Sequence, residues 1–88
     1  MNARDWDEKL RAEGFRHLFT GQGGPDAYYS DHTHENLTAH IILDGEMTLT
    51  SQGEAHTYAA GDRCDVPSET VHSARMGPRG CRYIVGEK

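Results

Sequence analysis

Apolar and polar residues alternate with a period of two over a succession of short segments, the pattern of strands with one buried face. Phe15–Thr20, Ala27–Ser30, Thr38–Leu43 and Glu46–Ser51 read this way, as do Glu54–Ala59, Arg63–Val66, Val71–Met76 and Cys81–Val85. In Glu46–Ser51, Met47 and Leu49 share one face while Thr48 and Thr50 share the other. Turn residues punctuate the series. Asp44-Gly45 is a strong hairpin signal, because both residue types tolerate positive φ. Gln52-Gly53 and Ala60-Gly61-Asp62 mark further turns, and Gly21–Pro25 and Gly77–Gly80 read as loops. Only the N-terminus departs from the pattern. Ala3–Glu13 places Trp6 and Leu10 on one helical face, with Asp5 to cap or charge the start and Gly14 where a left-handed terminator belongs.

Many short strands with regular turns predict an all-β sandwich or barrel. The helix covers about residues 3–13 and the barrel about 15–86. At 88 residues there is room for one domain, spanning 1–88. Such a chain buries roughly 60–65% of its unfolded surface, so the core is small. A balance of 14 acidic against 9 basic residues gives a net charge of −5, which argues against a nucleic-acid partner. No apolar run approaches the ~20 residues of a membrane span. Met1–Trp6 lacks the apolar core of an export signal, so a cytoplasmic location is expected. Cys64 and Cys81 then read as reduced thiols serving as small apolar residues. Cys64 shares strand parity with Val66 and is expected to face the interior.

The histidines change the picture. Asp31-His32-Thr33-His34 follows one expected strand, and His72 opens another about forty residues later. Residues two apart in a strand face the same way, so His32 and His34 present two imidazoles side by side. A third from a neighbouring strand would complete one face of a coordination sphere, leaving positions for water or substrate. His40 shares the parity of His32 and His34 if the strand is unbroken. It is a candidate fourth ligand, or a buried residue that orients a ligand. His17 and His56 fall outside both clusters and read as surface or edge residues.

These residues resemble the two motifs of the cupin superfamily, and specifically a small single-domain cupin. The first motif is carried by His32-Thr33-His34 with Gly45 at its spacing, and the second by Gly61, Pro67 and His72. The resemblance covers about residues 26–76. Four positions depart from it. Asp26 and Glu69 stand where the motifs have glycine, and Met76 stands where the second ends in asparagine. Thr38 occupies the place of the first motif's carboxylate ligand, and the nearest acid, Glu35, is out of register.

The resemblance implies a jelly-roll barrel with the histidines lining its mouth. It implies a divalent transition metal (Fe, Zn, Ni or Mn) held by His32, His34 and His72, with His40 as the candidate fourth ligand. It also implies a small-molecule ligand or substrate, and a homodimer built through strands outside the motifs, with Phe15–Thr20 the candidate segment. A three-histidine iron site acting as a dioxygenase on a small anionic molecule is the leading expectation. A non-catalytic ligand- or metal-sensing module and a metal-dependent isomerase or lyase stand beside it. Glu69, His40 and Tyr29 are the candidate catalytic residues, because each lies in or beside the motifs. Arg75 and Arg82 are candidates for attracting an anion.

Overall fold

The computed structural model describes residues 1–88. Helix α1 spans Ala3–Ala12. Six strands follow: β1 His17–Gly23, β2 Tyr28–His32, β3 Thr38–Ser51, β4 Glu54–Ala59, β5 Arg63–Val66 and β6 His72–Glu87. All pairings are antiparallel. β3 and β6 run side by side, and each changes its outer neighbour part-way along. The first half of β3 and the second half of β6 lie between β5 and β1. Their other halves lie between β4 and β2. The result is two four-stranded layers over one core, a jelly roll. Ile42, Val66 and Cys81 from the first layer meet Met47, Leu49, Ala74 and Met76 from the second. Cys64 packs against this core, and both cysteines are free thiols.

Two expected breaks in the sheet are not breaks. Asp44-Gly45 does not reverse the chain, and Gly77–Gly80 is not a loop between strands. Both lie within the long strands β3 and β6. Gly45 pairs with Cys81 and Met47 with Met76, so Glu46 alone faces the residues 77–80. This is an enlarged β-bulge that bends the strand pair from one layer into the other. Gly45 adopts φ +79°, and a Cβ there would collide with the Gly80 carbonyl oxygen. Hairpins and bulges draw on the same positive-φ residues, so only the partner strand tells them apart. Pro78 sits unpaired and exposed in the bulge, where it costs no ladder hydrogen bond. Replacing Gly45 with valine is expected to destabilise the fold by about 3 kcal/mol or more. The left-handed backbone alone costs a side chain ~1–2 kcal/mol, and a backbone carbonyl must also move. A fall in the urea midpoint at unchanged m-value would report it.

The bend also resets strand parity. Thr38, His40 and Ile42 belong to the inward face before it, and Met47 and Leu49 after it. Ala39 and Ile41 face outward and, with Ile84, pack against Trp6, Leu10 and Phe15. The helix thus covers the outer face of the first layer. Asn2, not Asp5, is its N-cap: the Asn2 Oδ1 accepts from the Asp5 N–H at 2.9 Å, and Asp5 closes the reciprocal bond of a capping box. At the other end Arg63 of β5 donates twice to Glu13, at 2.7 and 2.9 Å, and also binds Asp65. The Arg63 and Lys9 side chains hold the Glu13 carboxyl down at about 2.

β1 runs past the expected Thr20 to Gly23, so Gly21–Gly23 is strand rather than loop. Its glycines clear space: a Cβ on Gly21 would stand 2.5 Å from the Tyr83 ring, and one on Gly23 equally close to Met76.

Candidate metal centre

Two strands and the residues just past the end of one of them bring three imidazoles together. His32 ends β2, His34 lies just beyond it, and His72 begins β6. His32 and His72 are cross-strand partners. Ring centroids are 4.3 Å apart for His32–His72, 5.1 Å for His32–His34 and 5.2 Å for His34–His72. One donor nitrogen from each ring lies within 4.8 Å of the others.

The backbone sets the tautomers of two of these rings. His32 Nδ1 lies 2.7 Å from the Ser30 carbonyl oxygen, and His72 Nδ1 lies 2.9 Å from that of Thr70. A carbonyl only accepts, so Nδ1 carries the proton and Nε2 keeps its lone pair. The His72 Nε2 is buried without any protein partner. An orphaned buried acceptor is costly, and a bound cation would satisfy it. Burial, and then the neighbouring His72 and His32, push His34 below the usual imidazole range, so it too favours the neutral form that ligates. The donor set fits a borderline transition ion held by nitrogen.

The loop before β6 helps to position His34. The Glu69 N–H donates to the His34 carbonyl at 2.8 Å. Glu69 has φ 60° and Asp26 has φ 57°. Both non-glycine departures from the motif therefore keep the left-handed backbone that glycine usually supplies. The Glu69 side chain is exposed, beside a polar groove with Asp31 and Gln52, and does not reach the histidine cavity.

His40 sits deeper on β3, only 6% exposed, with its ring centroid 5.9 Å from that of His72. It lies outside the group of converging donors. Burial, followed by His72, His34 and His32, pushes it down to about 4, against a hydrogen bond with the Cys64 backbone. Its Nδ1 has no partner. Thr38 is fully buried and its Oγ1 is likewise unpartnered. Glu35 is exposed.

A cavity of about 140 Å³ opens beside the three rings. Phe19, Met47, Leu49, Met76 and Val85 supply its apolar walls, and no Lys or Arg lines it. Tyr29 stands at its rim, 41% exposed. Burial and the nearby Tyr29 hold the Tyr83 phenol above its ordinary range. Arg75 lies over the Tyr28 ring at 4.8 Å, and Arg82 is exposed; neither lines the cavity. The wall residues escaped the sequence reading. The shared face of Met47 and Leu49 was the available signal, but the bulge that turns this face toward the histidines was not legible.

A family model of the cupin domain matches residues 20–85. This chain belongs to the cupin family. Quercetin 2,3-dioxygenase of Bacillus subtilis is 36% identical to this cupin over 52 residues, which make up 59% of the chain and 14% of that protein's length. An RmlC-like cupin from Shewanella frigidimarina superposes with a TM-score of 0.73 at 23% identity, covering 80% of this chain and 62% of that one. A cupin-like protein from Thermotoga maritima gives a TM-score of 0.75 at 20% identity, covering 81% of this chain and 55% of that one. At these identities the two structures establish the fold.

Proposed function

We propose that this cupin holds one divalent transition metal (Fe, Zn, Ni or Mn) through His32, His34 and His72, and acts as a dioxygenase-like enzyme on a small molecule in the adjoining cavity. The observation that carries the reading is the convergence of three ring nitrogens at the edge of an apolar cavity, two of them with lone pairs set by backbone carbonyls. The partial likeness to quercetin 2,3-dioxygenase supports the reaction type. A bound ion would supply Lewis-acid polarisation and, as iron, redox chemistry, at positions that three protein ligands leave open. The protein's own groups orient the ligating rings, exclude water with the apolar walls and hold His34 neutral. Three neutral ligands cancel none of the ion's charge, which favours a substrate with an anionic oxygen or sulfur. The substrate's anion would rely on the ion alone, since the walls carry no cationic side chain.

A binding or sensing module without turnover is the second reading. It is favoured by the position of Glu69, the candidate catalytic acid, which lies in a separate groove. With Zn or Ni the same residues would suit an isomerase or lyase. An oxygen-uptake screen of iron-loaded protein separates the dioxygenase from both. Replacing His34 with alanine is expected to weaken metal binding by more than ~100-fold, beyond what loss of an outer-shell partner costs. His40→Ala should stay within ~10–100-fold if that ring only supports the site. Titration with Zn²⁺ against a competing chelator measures both, and equal losses would make His40 a fourth ligand.

We assign a homodimer contact to β1. This edge strand carries Phe19, 57% exposed, and edge strands favour pairing. Light scattering that returns the mass of one chain at high micromolar concentration would contradict it.

A further inference from the structure

Beyond Phe19 the inward face of β1 is bare. Residues 19, 21 and 23 share one face of the strand, while Leu18 belongs to the other and packs with the helix cluster. Phe19 lines the histidine cavity, but Gly21 and Gly23 carry no side chain and do not. Two side chains of β6 take up the space instead. The ring of Tyr83, the cross-strand partner of Gly21, lies directly over it: a Cβ on Gly21 would stand 2.5 Å from the Tyr83 Cζ and 2.7 Å from its Oη. A Cβ on Gly23 would stand 2.5 Å from the Met76 Cγ and 2.6 Å from its Sδ. Neither glycine is among those with positive φ, so the backbone there does not call for glycine. What these two positions leave no room for is a side chain.

Tyr83 and Met76 both line the cavity. They stand between the bare strand and the open space, so how far they recede onto β1 sets how much of that space is free. Met76 is also the position where the second motif departs from asparagine. The cavity of about 140 Å³ is close to the ~150 Å³ of an apolar protein cavity that takes up benzene. Its walls are aliphatic, thioether and aromatic.

We propose that Gly21 and Gly23 are positioning residues that set the ligand class of this cavity. By letting Tyr83 and Met76 recede onto β1, they open room for an apolar group the size of one six-membered ring. The assignment rests on the proposed reading of the cavity as the ligand site and adds the size of the ligand; the metal plays no part in it.

Toluene, one ring that cannot ligate a metal, is the probe. It is titrated into the full chain in excess Zn²⁺, and the methionine methyl groups are followed by ¹³C NMR. The wild type is expected to bind it, with shifts at Met47 and Met76. Gly21→Ala and Gly23→Ala should keep the fold, because the atoms that must move belong to the far part of a side chain, and circular dichroism checks this. Each displaced side chain moves off β1 into the cavity, so each variant should bind toluene about tenfold more weakly, the scale of a modest overpacking cost. Adding Met76→Ala to Gly23→Ala removes the displaced group and should restore binding, a rescue that a purely structural role of Gly23 would not give. A wild type that does not bind toluene would overturn the proposal. So would alanine variants that bind it as the wild type does, or a double variant no better than Gly23→Ala alone. Histidine ¹⁵N resonances of the same samples keep the two readings apart: rings that Zn²⁺ leaves unmoved, with toluene selection intact, contradict only the metal site.

Discussion

Thr38→Glu is expected to make the stability of this cupin depend on metal. Thr38 is fully buried, its hydroxyl has no partner, and it stands two residues before His40 on the inward face of β3. A carboxylate there, without a cation, is an uncompensated buried charge, a situation that costs about 3–5 kcal/mol in proteins. With a divalent ion held by His32, His34 and His72, the same carboxylate becomes an anionic ligand, and oxygen donors bind Zn, Fe or Mn well. The variant should therefore melt well below the wild type after chelation. It should recover most of that loss on adding Zn²⁺ and bind the ion more tightly than the wild type. Thermal melts with and without Zn²⁺ measure the coupling. A Thr38→Glu protein that no longer binds the ion would show that residue 38 does not face the site.

The second large effect is acid sensitivity of the metal-free protein. His40 is pushed down to about 4 in the fold, from an ordinary value of 6.5. The unfolded chain therefore binds more protons than the folded one throughout that interval. Stability should fall as pH drops from about 6.5 toward 4 and level off below, with His40 contributing on the order of 3 kcal/mol. His34, also shifted downward, adds in the same direction. Urea unfolding of chelated protein at pH 7 and pH 4.5 reads the loss, and His40→Gln should remove most of it. Equal acid losses in wild type and variant would place the sensitivity elsewhere.

The candidate ligands were legible because their geometry is local. His32 and His34 need only strand parity, and the partly buried pattern of that stretch keeps the alternation past the end of β2. His72 needed the motif spacing, and its pairing with His32 shows why the spacing matters: it sets the register between β2 and β6. The jelly roll followed from the same alternation. What was not legible is what depends on the partner strand. Gly45 and Gly77–Gly80 carry ordinary turn chemistry, and nothing in either segment says that each bends opposite the other. The cavity walls were hidden for that reason, since Met47 and Met76 face the histidines only because the strands bend between the two layers. Glu69 had the right place in the motif but the wrong direction, because its left-handed backbone serves His34 while its carboxylate stays in solvent.

The most direct test of the account is the metal content of untagged protein, measured by inductively coupled plasma mass spectrometry for the wild type and for His32→Ala/His34→Ala. The account predicts about one divalent transition metal ion per wild-type chain and almost none in the double variant. Full occupancy in the double variant, or a wild type that takes up no transition metal when supplied with Fe, Zn, Ni or Mn, would contradict it.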